Sequence, residues 1–310
     1  MMFLNIDSRA RERWRESRAR IEKENTKNRK RDSIYGTKSR PRPIIFNVVS
    51  FILRLSGLYN RGLRNAREFI ISYIDLGFPD LPASFDNYKI LHLSDLHIGC
   101  IDDFPEMISN RFSELNPDLV IMTGDFQTHG TPSGRDTADM MRHLKANVQS
   151  GDGWLAVLGN HDSYDMLDAL EAIDVRVLVN ESVSISRGED TLHFVGTDDV
   201  HAFNTPDSVA ALEKFQDGFR IALVHTVDLA TIANRLRYKL YLSGHTHGGQ
   251  LCLPGGRPLV TRLDSHRQLA SGKWKIGNML GYTSRGLGHG ISPFRFNCPG
   301  EATIIRLIKE

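Results

Sequence analysis

Cysteine is scarce in this chain: Cys100, Cys252 and Cys298 are the only three in 310 residues. They are odd in number, widely spaced and form no CxxC, which excludes a disulfide framework and a thiolate metal finger and points to a reducing compartment. Long apolar runs are also lacking. The most apolar stretch, 44–59 (IIFNVVSFILRLSGLY), is interrupted by Asn47 and Arg54 and falls short of the ~20 residues a spanning helix needs. No secretory leader is evident, because MMFLNIDSRARERWRES turns charged before an apolar core develops. There is no short-period repeat. These absences lead to the expectation of a cytoplasmic chain, peripheral on the inner face of the cell membrane.

Acidic residues are thin at one end. Residues 1–67 hold 18 Lys+Arg against 6 Asp+Glu, and the remaining 243 hold 21 against 31. A net charge of +2 therefore conceals a basic head and an acidic body. A basic head suits an anionic partner, either a membrane surface or nucleic acid. The body shows no basic groove interleaved with aromatics, so nucleic acid is the weaker expectation.

The order of patterns suggests three regions: a basic, flexible head over 1–43, an amphipathic helical segment and linker over 44–84, and a globular domain over 85–310. In the head, ARERWRESRARIEKEN could form a charged helix, and Pro41 and Pro43 mark a linker. In the second region Ile45, Val48, Val49, Ile52, Leu55 and Tyr59 fall near one helical face with Arg54, Arg61, Arg64 and Arg67 between them. That is the pattern of a helix lying on anionic lipid through residues 1–76, or of a helix packed on the body with its arginines in water. From Tyr88 onward strand and helix patterns alternate, predicting an α/β fold. Strands are expected at 89–94, 118–123, 154–158, 175–179, 191–196, 220–224, 239–243 and 302–307. Helices are expected at 104–115, 135–148, 163–173, 206–215 and 227–236. Residues 252–299, rich in Gly and Pro, read as loops and hairpins near a site.

Five apolar runs each end in residues of metal-binding type. ILHL is followed by Asp95 and His97, LVIM by Gly124-Asp125, LAVL by Gly159-Asn160-His161-Asp162, IALV by His225, and LYLS by Gly244-His245-Thr246-His247-Gly248-Gly249-Gln250. Ligands at strand ends converge in one cleft of an α/β sheet. Asp95, His97, Asp125, Asn160, His225, His245 and His247 are seven N/O donors, too many for one tetrahedral zinc. They suit two divalent cations roughly 3.5–4 Å apart, with Asp125 as the natural bridge. The absence of Cys among them favours Mn²⁺, with Fe or Zn as alternatives.

This ordered set resembles the calcineurin-like metallophosphoesterases over about residues 85–308. GHTHGGQ and the later YTSRGLGHG…RFNCPGE resemble the family's bacterial YkuE/YaeI-type branch, which is similar to the UDP-2,3-diacylglucosamine hydrolases of lipid A synthesis. The resemblance implies a four-layer αββα sandwich and two metal sets: Asp95, His97, Asp125 and His247 for one, and Asp125, Asn160, His225 and His245 for the other. It further implies a metal-dependent hydrolase that activates water against a phosphodiester or pyrophosphate, with His161 aiding the transition state. Arg285 in the SRGLG loop is a candidate phosphate contact, since guanidinium matches phosphate oxygens, and His289 could line the pocket. Two positions depart from the family pattern. Thr128 stands where many relatives have an Asp that orients the catalytic His, a task that would then fall to another group such as Asp162. Val227 stands where many have Pro. The expected substrate is a phosphoester, with UDP-2,3-diacylglucosamine at the membrane surface as one choice. The alternatives are a nucleotide phosphodiesterase or nuclease, or a non-catalytic scaffold of the same fold.

Overall fold

The strands of this chain bury both faces, and the alternation along each one assigns its two sides to different cores. Along β2 (Tyr88–Leu93), Leu91 and Leu93 join one apolar cluster while Tyr88 and Ile90 join another. The same split recurs in β3 (Leu119–Thr123), with Val120 and Met122 on one side and Leu119 and Ile121 on the other. Side chains of successive strand residues point to opposite faces, so a strand covered on both sides reads as a continuous apolar run.

A computed structural model describes residues 7–34, 44–101, 104–128, 132–203, 206–214, 217–259, 261, 263, 267–290 and 293–310. The Pro41–Pro43 linker, and His129 and His266, expected as surface or loop residues, lie outside these residues. Further strands are β1 (Phe69–Phe78), β4 (Trp154–Val157), β5 (Arg176–Val177), β6 (Glu181–Arg187), β7 (Asp190–Gly196), β8 (Phe219–Leu223), β9 (Leu240–Ser243), β10 (Gly272–Ile276), β11 (Met279–Thr283) and β12 (Gly300–Lys309). They form two six-stranded sheets in the orders β1-β12-β2-β3-β4-β5 and β10-β11-β9-β8-β7-β6. Strands β2 to β5 run parallel, as do β7, β8, β9 and β11.

One cluster joins Ile90, Ile121 and Leu155 of the first sheet to Ile221, Leu240 and Leu242 of the second, so the sheets pack face to face. The outer face of the first sheet is covered by α4 (Phe104–Phe112), α5 (Gly134–Asn147) and α6 (Met166–Glu171). That of the second is covered by α7 (Pro206–Lys214) and α8 (Ala230–Arg235). The result is a mixed α/β sandwich with two central sheets flanked by helices.

Two N-terminal regions differ from expectation. Residues 8–34, expected as a flexible head in which ARERWRESRARIEKEN could be helical, form one continuous helix, α1 (Ser8–Ile34). Its charge count misled, because Arg11, Trp14 and Arg18, spaced i, i+3, i+7 on one face, are buried against the body. Helices α2 (Ile44–Leu55) and α3 (Tyr59–Arg67) follow. Residues 69–78, expected within a helical segment and linker, form the strand β1, which pairs with β12 along its whole length from Phe69↔Gly300 to Phe78↔Lys309. The Ile- and aromatic-rich FIISYIDLGF carries β propensity that outweighs the helical periodicity preceding it. Among the described residues no helix is long and apolar enough to cross a membrane.

Candidate metal centre

Parallel strands release their C-termini at one edge of a sheet, so the turns after β2, β3, β4, β8 and β9 gather at one rim. These turns are not simple continuations of the strands. Asp95, His97, Asp125, His245 and His247 all hold φ between 43° and 70°. The left-handed conformation costs a non-glycine residue on the order of 1–3 kcal/mol, and five such residues in one site mean the surrounding structure imposes the geometry. Two glycines make the crowding possible. At Gly124 (φ +87°) a Cβ would lie 2.5 Å from the Gly159 nitrogen, and at Gly244 it would collide with Ser94 and Asp95.

The seven predicted donors come together, six of them buried and Asn160 half-buried. Asp95, His97 and His247 form one triad and Asp125, His225 and His245 a second; within each, the ligand atoms lie within 4.8 Å of one another, close enough to hold an ion. In the first, His97 Nε2 is 3.1 Å from His247 Nε2, which is 3.5 Å from Asp95 Oδ1. In the second, His225 Nε2 is 3.3 Å from Asp125 Oδ2 and 3.3 Å from His245 Nδ1. Asn160 Oδ1 adds a neutral oxygen 2.9 Å from His245 Nδ1 and 3.2 Å from His225 Nε2. Asp125 Oδ2 is also 3.8 Å from His97 Nε2, so one oxygen faces both triads.

The donor chemistry fits two divalent cations. Backbone carbonyls fix the tautomers: His97 Nδ1 donates to Gln127 O at 2.9 Å and His225 Nδ1 to Thr123 O at 2.6 Å. Each Nε2 is then left as a lone pair aimed into the site, the arrangement in which an outer carbonyl orients a metal-ligating imidazole. Charge tells the same story. Burial first, then the neighbouring Asp125 charge, pushes the Asp95 carboxyl upward. Against the push of burial, His225 and His161 hold the Asp125 carboxyl well below the carboxylate range, while Asp125 draws the His225 imidazole up. A divalent ion would supply positive charge where the Asp125 carboxylate and the His225 imidazole face each other.

His161, 7 % exposed, sets its ring edge-on to His97 with centroids 5.1 Å apart, and its N–H donates to Asp125 Oδ1 at 2.9 Å. The expectation that Asp162 might orient that ring is corrected. Both Asp162 oxygens are taken by backbone N–H groups of Asp125, Phe126, Gln127 and Gly159 at 2.7–3.0 Å, so Asp162 builds the turn that carries the site. Thr128 lies instead beside His97, with Oγ1 3.1 Å from Nδ1. Val227 is buried in the core under α7 and α8. Arg285 packs over Gly248 and sits 3.8 Å from the buried Glu301 carboxylate. His289 is half-buried, with Nδ1 3.1 Å from Gly290 O.

Three further groups near the site were assigned no role from the sequence, although Arg295 opens the RFNCPGE stretch. His201 lies against His245, ring centroids 4.7 Å apart. Arg295, fully buried, donates to the carbonyls of Arg285 (2.9 Å), Gly286 (3.1 Å) and Gly288 (2.6 Å). Arg18 of α1 donates to the carbonyls of Gly159 and Asp162. Arg18, far from any motif, gives no sequence signal until its partners are known.

The family model for calcineurin-like phosphoesterases matches residues 88–249. The chain belongs to this family. The matched segment contains all seven donors and His161, while Arg18 and Arg295 lie outside it. Among curated relatives, the chain is 30% identical over 244 residues to the uncharacterized metallophosphoesterase YkuE of Bacillus subtilis, covering 73% of this chain and 81% of the relative. It is 28% identical to the phosphodiesterase YaeI of Escherichia coli (74% and 85% covered) and 24% identical to the UDP-2,3-diacylglucosamine pyrophosphatase LpxG of Chlamydia trachomatis (77% and 89%). As a calcineurin-like phosphoesterase the chain carries a binuclear, metal-dependent phosphoesterase active site.

Proposed function

We propose that this phosphoesterase hydrolyses a phosphodiester or pyrophosphate bond of a nucleotide substrate, with Mn²⁺ as the metal at both positions. The observation that carries the reading is Asp125 Oδ2, which faces imidazoles of both triads at 3.3 and 3.8 Å. In the roles proposed here Asp95, His97, Asp125 and His247 hold one ion, and Asp125, Asn160, His225 and His245 the other. When bound there, divalent ions would supply Lewis-acid polarisation of phosphoryl oxygens and acidification of a bound water. His161, held through its backbone by Asp125, aids departure of the leaving oxygen by hydrogen bonding or proton transfer, help worth roughly 10²–10⁴-fold. Arg285 and His289 are assigned to the substrate side.

A phosphodiester asks only for the two donor triads that this site supplies. The relatives named a phosphodiesterase and a UDP-sugar pyrophosphatase favour diester-type bonds over monoesters. A placement within the YkuE/YaeI-type branch is the finer version of the same reading, and UDP-2,3-diacylglucosamine is the finer substrate. That lipid additionally needs an apolar surface at the rim. Helix α2 offers one: Val48, Phe51, Ile52 and Leu55 are exposed. Arg54 stacks over Tyr59, which packs on Phe294. An exposed apolar face bordered by arginines suits an anionic membrane surface, reached from the cytoplasmic side.

The test is phosphate-bond cleavage by purified protein with Mn²⁺, with and without chelator. UMP release from UDP-2,3-diacylglucosamine and cleavage of bis-p-nitrophenyl phosphate are followed in parallel. Chelator-sensitive cleavage of both supports the lipid-nucleotide reading, and cleavage of the diester alone removes the lipid. Turnover of neither, with two metals bound, overturns the proposal. Cosedimentation with phosphatidylglycerol vesicles that Phe51→Glu leaves unchanged would remove α2 from the membrane contact.

A further inference from the structure

Helix α1 is charged along its length and stands outside the segment that defines the family, yet its buried face ends at the active-site turn. Arg11 anchors one part, donating to Glu171 at 2.8 Å and to Glu181 at 2.6 Å. Trp14 Nε1 donates to Asp198 Oδ2 at 2.7 Å. Arg18, 1 % exposed, goes deepest. Its Nη1 bonds Asp198, its plane lies 3.8 Å from the Phe203 ring centroid, and its Nη2 donates to Gly159 O at 2.7 Å and Asp162 O at 2.8 Å. Those two carbonyls are the flanks of Asn160-His161. One guanidinium nitrogen therefore grips both ends of the turn that presents a proposed ligand and the proposed proton donor.

Fastening a helix does not require this arrangement. A buried ion pair is often no more stabilising than a well-packed apolar pair, and Arg11 with its two glutamates already ties α1 down. An apolar pair could not supply two N–H bonds to these carbonyls: without Arg18, Asp162 O would lose its donor, at about 1–3 kcal/mol, and Gly159 O would keep only the long 3.4 Å bond from the Asp162 N–H. The Asp162 carboxylate holds the Gly159 amide of the same turn and ties it to the Asp125 amide of the turn after β3. Arg18 completes the grip with a planar fork that lysine cannot reproduce.

We infer that Arg18 is a positioning residue for catalysis: α1 reaches over from outside the family segment and fixes the Asn160-His161 turn, so that the second metal set and His161 stand in register. The inference rests on the roles proposed above for Asn160 and His161. It is tested in the full chain with Arg18→Met and Arg18→Lys, using Arg11→Met as a variant that loosens the same helix without touching the turn. The readouts are Mn²⁺ stoichiometry, the spin-coupled electron paramagnetic resonance signal of a Mn²⁺ pair, and kcat and KM on bis-p-nitrophenyl phosphate. Both Arg18 variants should lower kcat by about 10–100-fold, in the range of groups that orient metal ligands, with KM little changed. They should also weaken one of the two ions and lose the coupled signal, while Arg11→Met keeps both. Arg18→Lys keeps a cation beside Asp198 and therefore reports even if the methionine variant does not fold. Two ions, an intact coupled signal and unchanged kcat in Arg18→Lys would overturn the inference. So would equal losses in Arg11→Met, which would make the effect one of helix docking alone. Should the wild type bind two ions yet cleave no diester, the proposed function fails while the stoichiometry and coupled signal still decide the role of Arg18.

Discussion

The two triads use similar donors and are braced in opposite ways. Asp95 and His247 lie against Gly286, where a Cβ would come within 2.7 Å of Asp95 Cβ, and that loop is held by Arg295. Arg295 donates chiefly to carbonyls three to ten residues away, also reaches His247 at 3.5 Å, 48 residues away, and has its basicity lowered, by burial first. The Asn160 side is braced by Arg18, which reaches 141 and 144 residues along the chain and shares its charge with Asp198. The first brace is therefore mostly short-range in sequence and the second wholly long-range. A local brace forms with its loop. A long-range brace waits for α1 to dock, and is the part an N-terminal disturbance would release.

The largest effect is expected where the two walls meet. Asp125→Asn takes the shared charge from both triads, so turnover should become undetectable and bound metal should fall below two per chain by elemental analysis. Retention of two ions would mean the triads are independent sites. His161→Ala is next: kcat should fall by roughly 10²–10⁴-fold with both ions kept, since the ring is not among the donors. Arg295→Met sharpens the contrast. It takes the donor from the carbonyls of residues 285 and 288, while Gly286 O keeps the Glu301 N–H, and each carbonyl left unsatisfied costs about 1–3 kcal/mol. Urea unfolding should show that loss, and the weakened ion should be the one held by Asp95, His97 and His247. Equal weakening of both ions would dissolve the distinction between the walls.

What the sequence made legible follows the same divide. Strand-end motifs are contiguous, so Asp95-x-His97, Gly124-Asp125 and Gly244-His245-Thr246-His247 announced the site, and the apolar runs before them announced their strands. Their backbone did not show, because left-handed φ at Asp95 or His97 has no marker in a side chain. The β1 strand was missed because Ile45 to Tyr59 sets a helical period that FIISYIDLGF does not visibly break. The docked α1 was missed because Arg11 and Arg18 count as solvated charges until Glu171, Glu181 and Asp198 are placed beside them. Ligands are read locally, and braces are read only from the assembled fold.

The smallest expected effect lies beneath both walls. His92 sits on β2, fully buried, with Nε2 2.9 Å from Thr123 Oγ1, while Thr123 O accepts from His225. Burial pushes the His92 imidazole down to about 3. Because the folded value is depressed below the unfolded ~6.5, the unfolded chain binds the extra proton. The group's contribution is then complete above pH 6.5 and is lost as pH falls from 6.5 toward 3, at about 1.4 kcal/mol per pH unit. Between pH 7.5 and 5.5 the metal-free protein should lose about 1.4 kcal/mol through this residue. His92→Asn should lose less by that amount in paired urea titrations. Since His92 links β2 to β3 below the point where the triads diverge, acid should loosen both walls together. A variant with the same pH slope as wild type would place the acid-sensitive group elsewhere and leave the two walls free to respond separately.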